Sequence, residues 1–159
     1  KVGSRFTSSR YHPILRIYRP HLGVDYRAPM GSPVVAVASG TVVSAGWGGQ
    51  GGRTVRLRHA SGYETTYMHL SSISVRAGAR VEQGEVIGRV GSSGLSTGPH
   101  LDYRVKQGGR PINPQHVLRS MPPGDPFPAD LLARFGEERD RVLVMLVRPE
   151  AAPVTGSGQ

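Results

Sequence analysis

Between Pro33 and Lys106 the chain is cut into short β-branched runs, and this punctuation restricts its fold more than any other feature. Val34–Ala38, Thr41–Ala45, Thr54–Arg58, Tyr63–His69, Val86–Val90 and His100–Lys106 are each bounded by Gly, Ser or Pro. Runs of this length and composition read as strands. Thr54-Val55-Arg56-Leu57-Arg58 alternates apolar and polar residues, as a half-solvated strand should. The 22 Gly and 13 Pro are scattered among these runs, not gathered into a repeat, so they serve turns between strands. The expectation is a mostly β domain built on an antiparallel sheet or sandwich.

A length of 159 residues suits one domain with a real core. We expect that domain over residues 1–120. Met121–Pro128 is a Pro/Gly break, and Ala129–Val147 reads as an amphipathic helix. Leu131, Leu132, Phe135, Val142, Leu143 and Leu146 can share one face there. A linker and helix packed on the domain are therefore expected over 121–148. Residues 149–159 are polar, rich in Gly and Pro, and expected to be disordered.

The charge is uneven. Residues 1–120 carry a net +11 and residues 121–159 a net −2, within a total of +9. A basic body is drawn to polyanions, such as an anionic wall polymer or a membrane surface. Nucleic acid is disfavoured, because the single Trp, three Phe and six Tyr form no stacking cluster. The chain has no cysteine, which removes thiolate metal sites, disulfides and a Cys nucleophile together. No apolar run reaches the length of a membrane span. The chain starts at Lys1, so it is read as a fragment or processed product, with any export signal or anchor expected upstream.

Three short motifs carry the chemistry. They are His21-Leu22-Gly23-Val24-Asp25, Tyr67-Met68-His69-Leu70 and Gly98-Pro99-His100-Leu101-Asp102. His21 and Asp25 are expected on a constrained loop leading into a strand, because the flanks are dense in turn residues. His100 and Asp102 lie two apart, so on a strand they share a face, about 7 Å apart at Cα. His69 is expected to end the strand Tyr63–His69. His12, His59 and His116 lack such partners and read as surface or structural histidines, with His12 placed for a rim role.

Together these motifs resemble the LytM-type zinc peptidases of family M23, which cut peptide cross-links in bacterial cell walls. The glycine-rich approach Gly91-Ser92-Ser93-Gly94-Leu95-Ser96-Thr97-Gly98-Pro99 strengthens the resemblance. So does the turn-rich stretch Val75–Gly88, which also resembles biotinyl/lipoyl hairpins but has no lysine at its tip. The early segment Ser8–Leu15 is most similar to periplasmic murein endopeptidases. The resemblance implies an antiparallel sheet of the duplicated hybrid motif type that forms a groove, with a small second sheet.

The resemblance also implies zinc held by His21, Asp25 and Asp102, with His69 and His100 as catalytic, non-ligand histidines. It implies peptidoglycan stem peptides as substrate, the D-Ala–diaminopimelate bond as target, and action in the periplasm or cell envelope. The alternative is a non-catalytic wall-binding domain that activates another hydrolase. One position departs from the family, where Asp102 stands in place of a second His. Asp is a legitimate zinc ligand at about 2.0–2.2 Å. It also adds a negative charge, so the expectation is a less electrophilic metal and a slower or more alkaline enzyme.

Overall fold

The computed structural model describes residues 1–120 together with 136, 137, 140 and 141. The chain divides into two units, Lys1–Ser120 and Met121–Gln159. The expected helix over 129–147 and the tail over 149–159 otherwise lie outside the described residues.

The first unit is built from twelve strands in chain order. They are β1 (Val2–Ser4), β2 (Thr7–His12), β3 (Ile17–His21), β4 (Val24–Arg27), β5 (Pro33–Val35) and β6 (Gly40–Trp47), followed by β7 (Arg53–Arg58), β8 (Tyr63–Ile73), β9 (Arg80–Val81), β10 (Val86–Val90), β11 (His100–Gln107) and β12 (Arg110–Ile112). One helix, α1 (Pro114–Ser120), follows. Ten strands form one sheet along the path β1-β4-β11-β8-β7-β6-β9, with β10 between β5 and β8 and β12 beside β11. β2 and β3 form a separate two-stranded sheet. Every pairing is antiparallel among the described residues. The expected fold class is the one observed.

Alternation decides which face each side chain takes. Val55 and Leu57 of β7, Thr65 and Tyr67 of β8, and Tyr103 and Val105 of β11 are all buried. With Val34, Ala36, Val42, Leu70, Val81, Ile87 and Val90 they make the core. The core holds one polar chain. Val37 N–H donates to Tyr67 Oη at 3.1 Å, and Tyr67 Oη lies 3.2 Å from Thr65 Oγ1. Thr65 Oγ1 in turn lies 2.7 Å from His59 Nε2, while His59 Nδ1–H donates to the Ser39 carbonyl at 3.0 Å. His59 is therefore structural, as read from the sequence. The alternate positions Met68, Asp102 and Arg104 face the other side and line a groove of about 460 Å³.

The structure departs from the sequence reading in several places. His21 and Asp25, expected on a constrained loop, stand on β3 and β4, and the run Val34–Ala38, expected as one strand, is a strand only over Pro33–Val35. The strand expected to end at His69 runs on to Ile73. Asn113-Pro114 carried an unread helix signal. Asn113 Oδ1 accepts Gln115 N–H at 3.0 Å, with Pro114 at the first helical position.

Candidate metal centre and its histidines

His21 is the last residue of β3, Asp25 lies in β4 and Asp102 in β11. Both members of the early motif thus sit on strands of different sheets, not on a loop, and only Leu22-Gly23 joins them. Asp102 pairs with Asp25 on one side and with Met68 on the other. Two carboxylates are therefore direct cross-strand neighbours. All three residues are buried: His21 is 5%, Asp25 8% and Asp102 3% exposed. Like charges so placed repel and need positive charge between them.

The ligand atoms of His21, Asp25 and Asp102 lie within 4.8 Å of one another. His21 Nε2 is 3.0 Å from Asp25 Oδ1 and 3.8 Å from Asp102 Oδ2. Tetrahedral bonds of about 2.0–2.1 Å place ligand atoms about 3.3 Å apart, which these distances bracket. Despite the 3.0 Å approach, His21 Nε2 and Asp25 Oδ1 are both buried without a directed hydrogen bond. Two such atoms facing each other in a pocket with two carboxylates are what a bound cation would satisfy. The donor set therefore fits a divalent metal such as zinc, as the sequence reading expected.

Electrostatics point the same way. Burial pulls the His21 imidazole down, but Asp102 and Asp25 overcome it and push it up to about 9. Burial opposes ionisation of Asp102, yet His21 and Arg104 hold its carboxyl far below the usual range. Asp25 also lies below its ordinary value, because His21 and Arg10 outweigh burial and the repulsion from Asp102.

Three imidazoles share one anchoring pattern. His21 Nδ1 meets the Arg5 carbonyl at 2.9 Å, His69 Nδ1 the Ser93 carbonyl at 2.8 Å, and His100 Nδ1 the Gly98 carbonyl at 2.8 Å. A carbonyl only accepts, so each Nδ1 carries the hydrogen and each Nε2 is left for the groove. The His69 and His100 rings stand 4.8 Å apart by centroid. His100 Nε2 lies 3.8 Å from Asp25 Oδ1. His100 and Asp102 share a strand face, as expected.

His69 reaches the groove by a route that alternation alone does not give. Its predecessor Tyr67 is in the core and Met68 is in the groove, so His69 should return to the core. Opposite it, β7 advances two residues from Arg53 to Val55 while β8 advances three, between Tyr67 and Leu70. This bulge takes His69 into the left-handed region, at φ 62. Met68 and His69 then both line the groove, and Leu70 re-enters the core. Non-glycine residues in that region cost energy and cluster at functional sites. Burial pushes the His69 imidazole below its ordinary value.

The glycine-rich segment before His100 has a mechanical role here. Gly52 and Gly94 take φ 64 and φ 71, and a Cβ on either would collide with the other's loop: Ser93 C at 2.4 Å for Gly52, and Gly52 N at 2.4 Å for Gly94. The two loops interlock and present the Ser93 carbonyl to His69. Ser93 Oγ donates to the Leu70 carbonyl at 2.7 Å and accepts Arg53 N–H at 2.9 Å, which fixes that loop to the bulge.

Sequence reasoning missed two arginines. Arg10 Nη1–H donates to Asp25 Oδ2 at 3.1 Å, from β2. Arg104 forks onto Asp102, with Nη2–H to Oδ2 at 2.7 Å and Nε–H to Oδ1 at 3.1 Å. The second was legible, since Arg104 is two residues after Asp102 on a strand. The first needed the pairing of two sheets. His12 lies half-buried on the groove rim, in the rim position expected of it.

The likeness to known proteins agrees with this geometry. The chain is 45% identical over 148 residues to the DD-carboxypeptidase/endopeptidase Mpg of Neisseria meningitidis, covering 93% of this chain and 34% of that protein. It is 35% identical over 151 residues to the peptidoglycan DD-endopeptidase ShyA of Vibrio cholerae, covering 95% of this chain and 35% of that one. The chain thus spans about a third of the length of these relatives. Among solved structures it superposes on the catalytic domain of the antimicrobial peptidase lysostaphin from Staphylococcus simulans with a TM-score of 0.68. Identity there is 33%, over 76% of this chain and 92% of that one. The model of peptidase family M23 matches residues 19–114, a span that holds all five candidate residues, and the chain belongs to this family of metallopeptidases.

Proposed function

We propose that this chain is the catalytic part of a zinc-dependent endopeptidase that hydrolyses peptide cross-links of bacterial peptidoglycan in the periplasm or cell envelope. The D-Ala–diaminopimelate bond is the proposed target, a reading supported by the DD-endopeptidase relatives. One observation carries the proposal. Three imidazoles keep Nε2 free of their backbone anchors beside two buried carboxylates, and two of the facing atoms, His21 Nε2 and Asp25 Oδ1, are buried without a hydrogen-bond partner.

His21, Asp25 and Asp102 would hold the metal, and His69 and His100 remain free of it. Zinc bound there supplies Lewis-acid polarisation of the scissile carbonyl and acidification of the attacking water. His69 Nε2 accepts the proton of that water. Burial keeps this ring neutral, and its Nδ1–H is fixed on Ser93, so the lone pair stays aimed at the groove. His100, its Nδ1–H anchored on Gly98, turns Nε2 to the groove, where it donates to the developing oxyanion or to the leaving amine once that nitrogen also carries a proton. The net +11 over residues 1–120 would draw the domain to an anionic wall polymer or membrane surface.

The test combines metal content with digestion. The purified chain should take up close to one equivalent of zinc. It should convert cross-linked muropeptides of isolated sacculi into uncross-linked ones, lose this activity to a chelator, and regain it with zinc. Zinc content near zero that zinc dialysis leaves unchanged would refute the proposal.

A further inference from the structure

We infer that Arg104 is a positioning residue and built-in counterion that lets Asp102 serve as a metal ligand without weakening the metal. The inference rests on the proposed metal set of His21, Asp25 and Asp102. A neutral ligand at position 102 would add no charge to the site. Asp102 adds one negative charge, and the Arg104 guanidinium returns the sum to the value a neutral ligand would leave. The weakened metal expected from the sequence is offset by a residue two positions away.

Three observations carry this. The first is the fork itself: both carboxylate oxygens of Asp102 are held by one guanidinium, at 2.7 Å for Oδ2 and 3.1 Å for Oδ1. Two-point contact fixes the plane of the carboxylate as well as its charge. The second is that the oxygen closest to the guanidinium, Oδ2, is also the one 3.8 Å from His21 Nε2. A carboxylate oxygen has two lone pairs, so it can accept from Arg104 and still face the metal position.

The third is that the chain keeps a space for the pair. A Cβ on Gly23 would stand 2.4 Å from Asp102 Oδ1 and 2.7 Å from Arg104 Cγ. Gly23 lies between the first two ligands, and only glycine lets the β3–β4 link pass over the fork. The charged and titratable groups near Arg104 include Asp102 and Lys106 on the same face of its own strand, Glu64 opposite Lys106 on β8, His21 on β3, Asp25 on β4, Arg10 on β2 and Arg56 on β7. Arg10 is engaged with Asp25. Arg56 lies two strands away, across Thr66.

The test compares Arg104→Gln, which removes the charge, with Arg104→Lys, which keeps the charge and loses the fork. The full chain is used. Zinc affinity is read by competition with a chromophoric chelator, and the pH–rate profile is read on isolated peptidoglycan. Removing a unit charge a few ångströms from a metal site shifts an ionisation there by about one to two pH units. Arg104→Gln should therefore keep zinc affinity within about tenfold of the wild type, while the ascending limb of its pH–rate profile moves about one unit or more toward alkaline pH. Arg104→Lys should keep the wild-type limb.

A purely structural role predicts another pattern, in which Arg104→Gln loses zinc by more than 100-fold. That result would overturn the counterion role. So would an unshifted profile in Arg104→Gln, or a profile in Arg104→Lys that moves as far as an uncharged variant's should. If Arg104→Gln fails to fold, the limb in Arg104→Lys alone decides. A wild-type chain that takes up no zinc overturns the metal reading and this inference with it. Zinc uptake by the wild type with an unshifted Arg104→Gln profile overturns the inference alone.

Discussion

Gly23→Ala adds one methyl group where the fold leaves no room for it. The backbone at Gly23 lies outside the left-handed region, so alanine meets no conformational obstacle and the effect is one of contact. The new Cβ would stand 2.4 Å from Asp102 Oδ1, 2.7 Å from Arg104 Cγ and 2.8 Å from the Tyr103 carbonyl oxygen. The first two atoms belong to side chains and can retreat. The third is backbone of β11, in a residue that pairs with Val24 of β4. Relief therefore needs both displacement of the Asp102–Arg104 fork and separation of two paired strands.

Overpacking of this kind costs about 1–3 kcal/mol. The lower entropy of the unfolded alanine chain returns about 0.4–1 kcal/mol. The net loss should be about 1–2 kcal/mol, or a fall of roughly 3–8 °C in the unfolding midpoint of the metal-free chain. Zinc affinity should fall about tenfold or more, because 1.4 kcal/mol of misplacement at Asp102 is enough for that. Scanning calorimetry without metal and chelator competition with metal measure the two effects separately. Gly98→Ala is the control. A Cβ there meets nothing within 4 Å, so it should leave zinc affinity unchanged and raise the midpoint slightly, through the unfolded-chain entropy of about 0.4–1 kcal/mol alone. A Gly23→Ala chain that melts and binds zinc as the wild type does would refute the argument from contact.

Three further outcomes follow from the same geometry. His69→Ala and His100→Ala should retain stoichiometric zinc and lose hydrolysis of peptidoglycan by roughly 10²-fold or more; zinc loss in either would exchange their role with that of a ligand. In the metal-free chain the His21 imidazole, pushed up to about 9, stabilises the fold fully below its unfolded value near 6.5 and loses that contribution as pH rises through 9. Zinc must displace that proton, so uptake at pH 7 should release about one proton per metal, measured by calorimetry in buffers of different ionisation enthalpy; uptake without release would contradict the arrangement. Asp102→His leaves Arg104 unpaired beside the metal position, so a gain in activity should need Arg104→Gln as well. A double-mutant cycle on hydrolysis should show strong coupling, and additive effects would count against the pairing.

Much of the β architecture was present in the sequence, because strand signals are local. β-branched runs broken by Gly and Pro marked β6, β7, β8, β10 and β11, and the two-residue period placed His100 and Asp102 on one face. The family motifs singled out His21, Asp25 and Asp102, whose ligand atoms the fold brings within 4.8 Å. These are properties of short windows, in which a few residues fix both the backbone and the chemistry.

Other features depended on residues far apart in the chain. The segment before Pro33 forms strands because β1 and β4 extend the large sheet and β2 pairs with β3, partners that no local pattern reveals. His69 faces the groove because β8 carries one residue more than β7 at that point, and a bulge is a relation between two strands. Arg10 reaches Asp25 across 15 residues of sequence. The charge of the site follows from such contacts. The sequence alone showed an extra carboxylate at position 102 with an arginine two residues on, on the same strand face, while only the tertiary structure brought Arg10 onto Asp25 and the Gly23 link against the Asp102–Arg104 fork.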